Sequence, residues 1–91
     1  MNIERFDSPI ARVIKQFKGW ESCIEHCWQT NSEFRSLCED YAVCARALEN
    51  WQASDAAVAD QRQKEYSEWL TELEQEIHSW LEQQNVAVQS D

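Results

Sequence analysis

The apolar positions of this chain recur at three- and four-residue intervals almost from end to end, the spacing that gathers side chains on one face of an α-helix. The first stripe is Ile10, Val13, Ile14 and Phe17. Ser8-Pro9 precedes it: the hydroxyl can cap an orphan N–H, and proline at the first helical position gives up only a donor that would be unpaired anyway. A helix is therefore predicted from Pro9, amphipathic and basic, with Arg12, Lys15 and Lys18 off its apolar stripe.

A second stripe follows at Trp20, Cys23, Ile24, Cys27 and Trp28. Carrying the first helix straight on at about 100° per residue would put Glu21 in the middle of the first stripe. The axis is accordingly expected to kink or break around Gly19, the only glycine. Thr30-Asn31-Ser32-Glu33 has the form of a capping box, with Thr30 as the cap and Glu33 reaching back to it.

Beyond it Phe34, Leu37, Tyr41, Cys44, Leu48 and Trp51 make a heptad-like seam, widened by Cys38, Ala42 and Ala45 so that it can meet two neighbouring helices. The stripe fades between Gln52 and Asp60, where Ser54, Asp55 and Asp60 are all able to cap a new helix, and the reversal is placed there. The competing reading is one helix from Asn31 to Gln84, a rod of about 80 Å whose seam would lack a partner. The last seam is Tyr66, Leu70, Leu73, Ile77 and Trp80, flanked by Trp69 and Leu81. Trp51 and Trp80 lie within seams and are expected in the core.

These elements predict an all-α fold, a small antiparallel three-helix bundle in which the kinked N-terminal helix packs on a long helical hairpin. The expected division is an N-terminal extension at 1–8, one domain at 9–84 and a frayed tail at 85–91, where neither period nor cap continues. At 91 residues there is no room for a second domain.

Charge narrows the function. Seventeen acidic residues stand against eight basic ones, a formal net charge of −9. Such a chain is repelled by phosphate backbones and anionic headgroups, so neither nucleic acid nor membrane is an expected partner. The imbalance is uneven: Met1 to Lys18 holds four basic and two acidic residues, whereas no Lys or Arg occurs from Glu65 onward. The first residues lack the basic start and apolar run of a signal peptide, and no stretch approaches the ~18 apolar residues of a membrane span. A cytoplasmic location is expected, with Cys23, Cys27, Cys38 and Cys44 as reduced thiols.

No catalytic or cofactor signature stands out. Cys23, His26 and Cys27 come nearest to a metal motif, but a second ligand pair is missing, since six residues of helix turn Cys38 and Cys44 about 240° apart. A cysteine nucleophile would need a base, and His26 projects away from the stripe of Cys23 and Cys27. His78 stands one turn after Glu74, a spacing that predicts a surface ion pair. Neither enzyme activity, nor a metal, nor a cofactor is expected.

The most suggestive feature is an acidic ladder at Glu65, Glu68, Glu72 and Glu76, one continuous helical stripe without an interleaved cation. Like charges one turn apart cost about 0.3 kcal/mol per pair. The plainer reading, set ahead of a binding face because charge runs usually mean a wet surface, is ordinary solvation with internal pairing to Arg12, Lys15 and Lys18; the sharper one is another protein. Trp69 and Trp28 lie at stripe edges and are expected in an exposed apolar patch. The leading expectation is thus a small acidic, non-enzymatic helical protein acting through protein–protein interaction, with Glu65, Glu68, Trp69, Glu72, Glu76 and Trp28 meeting a basic or helical partner or a second copy of the chain. The alternative is a thiol-based metal or redox protein using Cys23 and Cys27. A third reading is an acidic inhibitor that imitates nucleic acid.

Overall fold

A computed structural model describes residues 8–89, with side chains placed to residue 84. Among the described residues the chain is all-α: helices α1 (Pro9–Gln16), α2 (Glu21–Thr30), α3 (Ser32–Gln52) and α4 (Ala59–Gln89), with no strand. Apart from Ser8, the predicted N-terminal extension lies outside the described residues.

The first helix starts as its cap predicts. Ser8 is extended, its Oγ accepts the N–H of Ala11 at 3.2 Å, and Pro9 occupies the first helical position. Of the kink or break expected around Gly19, the structure has the break, with two helices separated by Phe17 to Trp20. Gly19 makes the break affordable because it adopts φ +94°, a left-handed conformation that any side chain would disfavour. Glu21 then fastens the corner: its carboxylate accepts the Gly19 N–H at 3.1 and 3.2 Å. The N–H of Glu21 itself, and then that of Gly19, hold the carboxyl below its usual range.

The turn from α2 to α3 corrects the predicted capping box. Thr30 is the last residue of α2, and its hydroxyl donates to the carbonyl of His26 at 2.8 Å. The cap is Asn31, whose Oδ1 accepts the N–H of Phe34 at 3.0 Å. One non-helical residue thus suffices for the reversal, and Arg35 satisfies a terminal carbonyl of α2 by donating to Trp28 O at 3.1 Å.

The reversal between α3 and α4 spans 53–58, within the predicted interval, and the uninterrupted rod is excluded. It is built without glycine or proline: Ala53 keeps near-helical dihedrals and the Ser54 hydroxyl accepts the N–H of Ala56. α4 begins at Ala59, so Asp60 lies in the first turn, where its charge complements the helix dipole. The same helix runs to Gln89, five residues past the predicted end at Gln84. The segment holds no glycine or proline to stop it.

α3 and α4 lie antiparallel. Cys44 contacts Tyr66, Tyr41 contacts Glu74 and Phe34 contacts Trp80, each step down α3 matching a step up α4. Between and against them the core closes on Val13, Ile24, Cys27, Phe34, Cys38, Tyr41, Cys44, Leu73, Ile77 and Leu81. The buried band of α3 is shifted from the predicted seam: Cys38, Ala42 and Ala45 are buried, whereas Leu37, Leu48 and Trp51 are only half-buried. A straight helix drifts against a seven-residue repeat, so the seam passes onto its flank. Trp51 and Trp80, expected in the core, both reach the surface in part. Among the described residues no helix is long and apolar enough to cross a membrane.

Candidate functional site

The face of α4 turned away from the core carries the acidic ladder. Leu73, Ile77 and Leu81 point inward and are buried, which leaves Glu65, Glu68, Glu72 and Glu76 exposed on the outer side. The ladder is not uniform. Glu65 accepts from Arg62 at 2.9 Å and from Gln61 at 3.3 Å, and these bonds hold its carboxyl below the usual range. Its cation stands three residues earlier, just outside the stripe. Glu68, Glu72 and Glu76 form no ion pair among the described residues.

The basic first helix does not compensate them. α1 packs on α3, where Arg12 grips Glu49 at 3.0 and 3.2 Å. Lys15 and Lys18 are exposed along a groove of about 560 Å³ between α1 and α3, whose walls also include Glu49, Tyr41, Leu70 and Glu74. The internal neutralisation expected of Arg12, Lys15 and Lys18 is thereby corrected: Arg12 pairs with Glu49 of α3, and Lys15 and Lys18 border Glu49 and Glu74 rather than the ladder.

Two concavities interrupt the α4 surface. One, of about 260 Å³, lies beside the reversal and is lined by Trp51, Arg62, Glu65, Tyr66 and Trp69. Trp69 is 41% exposed, the most open of the described tryptophans, and its ring lies 6.0 Å from that of Tyr66. The other, of about 460 Å³, contains Glu72, Glu76 and Trp80. Trp28 is not part of this face; it is half-buried on α2 against the core and lines neither concavity. The sequence pattern does not mark Trp51, Tyr66 and Trp80 as part of an interaction patch. Their surface exposure follows from how α3 and α4 meet, which the stripes alone do not encode.

His78 is exposed beside a carboxylate one turn away, as its spacing predicts, but the carboxylate is Glu82 rather than Glu74. Glu74 is engaged by Tyr41, whose hydroxyl donates to Oε2 at 3.4 Å. His78 stacks instead on Phe17, with 6.4 Å between centroids, and meets the edge of Trp20 at 5.9 Å; its Nδ1 lies 3.7 Å from Glu82. It joins α4 to the corner between α1 and α2.

The cysteines are free thiols, with Cys27, Cys38 and Cys44 buried and Cys23 half-buried. Burial pushes Cys27 up to about 11, aided by the neighbouring Cys23, and pushes Cys38 up to about 12. Cys44 is raised as well, by burial and by Glu74, and its Sγ donates to Tyr66 O at 3.3 Å. These shifts run opposite to the thiolate character a nucleophile requires. Among the described residues no three His, Cys, Asp or Glu side chains converge where they could hold an ion.

No model of a known protein family matches the chain, and neither a curated protein nor a solved structure does.

Proposed function

We propose that this chain is a protein-recognition module, a helical scaffold without catalytic chemistry whose α4 presents carboxylates and an exposed indole to a basic segment of another protein. The observation that carries the reading is that Glu68, Glu72 and Glu76 stand exposed without an ion pair beside an open Trp69. An indole half in water next to uncompensated charge is the arrangement of an interface anchor with a steering rim. Like charge opposes α4 packing on α4 of a second copy, so the partner is a different, cationic protein.

In the same reading the scaffold is a three-helix bundle in which α1 and α2, broken at Gly19, together fill the place of one helix against the antiparallel pair of α3 and α4. The contacts of α1 with α3, and of α2 with α3 and α4, support it.

The test is a photo-crosslinking side chain placed at Glu72, and separately at the exposed Gln29 of α2, in the living cell. Adducts formed from position 72 alone, with a Lys- or Arg-rich peptide at the crosslink, support the proposal. Equal adducts from both positions, or none from 72, contradict it.

A further inference from the structure

We infer that the 260 Å³ niche between the last turn of α3 and the first three turns of α4 is a binding site for a quaternary ammonium group. Three of its five lining residues are aromatic. Tyr66 and Trp69, 6.0 Å apart and tilted by 38°, come from consecutive turns of α4, and Trp51 comes from the end of α3. Aromatic faces attract a cation lying within about 6 Å of a ring centroid. A quaternary ammonium is charged yet apolar at its surface, so it sheds water into such a niche more readily than the strongly hydrated ammonium of lysine. The volume accords with a head group, falling below the roughly 300–1,000 Å³ of pockets for larger ligands.

The surroundings set the sign of the charge. Arg62 and Glu65 complete the lining and pair with each other at 2.9 Å, while Glu68 and Glu72 of the ladder flank Trp69 along α4. The walls are held together, because Gln63 Nε2 donates to Trp51 O at 3.2 Å and ties the end of α3 to α4. The inference deepens the recognition reading and rests on it for the source of the group, a trimethylated lysine in the basic partner segment.

The test follows the indole N–H resonances of the full chain during four titrations: choline, its uncharged isostere 3,3-dimethylbutan-1-ol, an Arg-rich peptide carrying one trimethyllysine, and that peptide unmethylated. Choline is expected to shift Trp51 and Trp69 and to bind roughly tenfold more tightly than the isostere. Trp69→Ala should abolish choline binding while the far-ultraviolet spectrum stays helical. Arg62→Gln should strengthen choline binding and leave the isostere unchanged. The trimethylated peptide should bind more tightly than the unmethylated one. Equal binding of choline and isostere, or choline binding that survives Trp69→Ala, overturns the niche. A choline preference with no difference between peptides keeps the niche and overturns the lysine source. A difference between peptides that neither salt nor glutamine at Glu68, Glu72 and Glu76 weakens keeps the niche and overturns the acidic face.

Discussion

Arg12 of α1 holds Glu49 of α3 by two hydrogen bonds, one guanidinium nitrogen to each carboxylate oxygen, at 3.0 and 3.2 Å. The Arg12 side chain is 19% exposed and that of Glu49 59%, so the pair is half in water. It commits the strongest cation of the basic helix to α3, and the ladder on α4 keeps its charge. Glu49→Gln is expected to lower stability by about 0.5–1 kcal/mol in urea unfolding, with a smaller loss at high salt. A loss above about 2 kcal/mol would show that the pair carries more than a surface ion pair does.

Phe34 is fully buried and meets Trp80 edge to face with 6.1 Å between centroids. Truncation leaves a cavity where the first turn of α3 packs on α4, and Phe34→Ala should cost about 3–5 kcal/mol. A chain of this length has of order 5–10 kcal/mol in all, so the variant should be largely unfolded near its working temperature. Val43, 58% exposed on the same helix, is the control: Val43→Ala should change stability by less than about 0.5 kcal/mol.

The thiols predict both a reaction order and a pH dependence. Cys23, half-buried, should be alkylated first, and Cys27, Cys38 and Cys44 only on unfolding, as peptide mass mapping would show. Cys27 and Cys38 keep their protons to about 11 and about 12 when folded, against 9.0 for an ordinary thiol. Between these values the unfolded chain has released protons that the folded chain retains. These two thiols should therefore leave stability unchanged well below pH 9 and lower it as pH rises through that window. Tyr41, raised to about 12 by burial and Glu74, adds to the fall above pH 10. Stability that rises from pH 9 to pH 11 would contradict the burial of these groups.

The two ends of the α2–α3 turn separate local from tertiary control. Asn31→Ala should cost about 1 kcal/mol, because it removes the acceptor for the Phe34 N–H. Thr30→Ala should cost less than about 0.5 kcal/mol, since that hydroxyl bonds only within its own helix. The reverse order, measured by urea unfolding, would restore the capping box at Thr30.

What was legible in the sequence follows the range of the forces. Ser8-Pro9 marks its helix start unaided, because a cap is made within four residues, and the break at Gly19 follows from a stripe that cannot continue through Glu21. At Thr30-Asn31-Ser32 three adjacent residues can all cap, and the choice among them depends on how α2 and α3 fold back on each other. The apolar stripes identify the α4 surface that carries the ladder, but not the partner of Arg12 or the ring contacts of His78. Both join residues far apart along the chain. The niche of Trp51, Tyr66 and Trp69 is hidden for the same reason: Trp51 and Tyr66 belong to two different predicted seams and Trp69 to a flank, and only the reversal at 53–58 brings Trp51 beside the two residues of α4.

The central claim is that the outer face of α4 receives a basic protein segment. Its most direct test is chemical-shift mapping of the ¹⁵N-labelled chain against a Lys- and Arg-rich amphipathic helical peptide, at low and then high ionic strength. The account predicts perturbations centred on the Trp69 indole and the amides of Glu68, Glu72 and Glu76, weakening with salt. They should be lost when those three glutamates are changed to glutamine. Perturbations centred instead on Glu49 and Glu74 in the groove beside α1, or no perturbation at low salt, would contradict it.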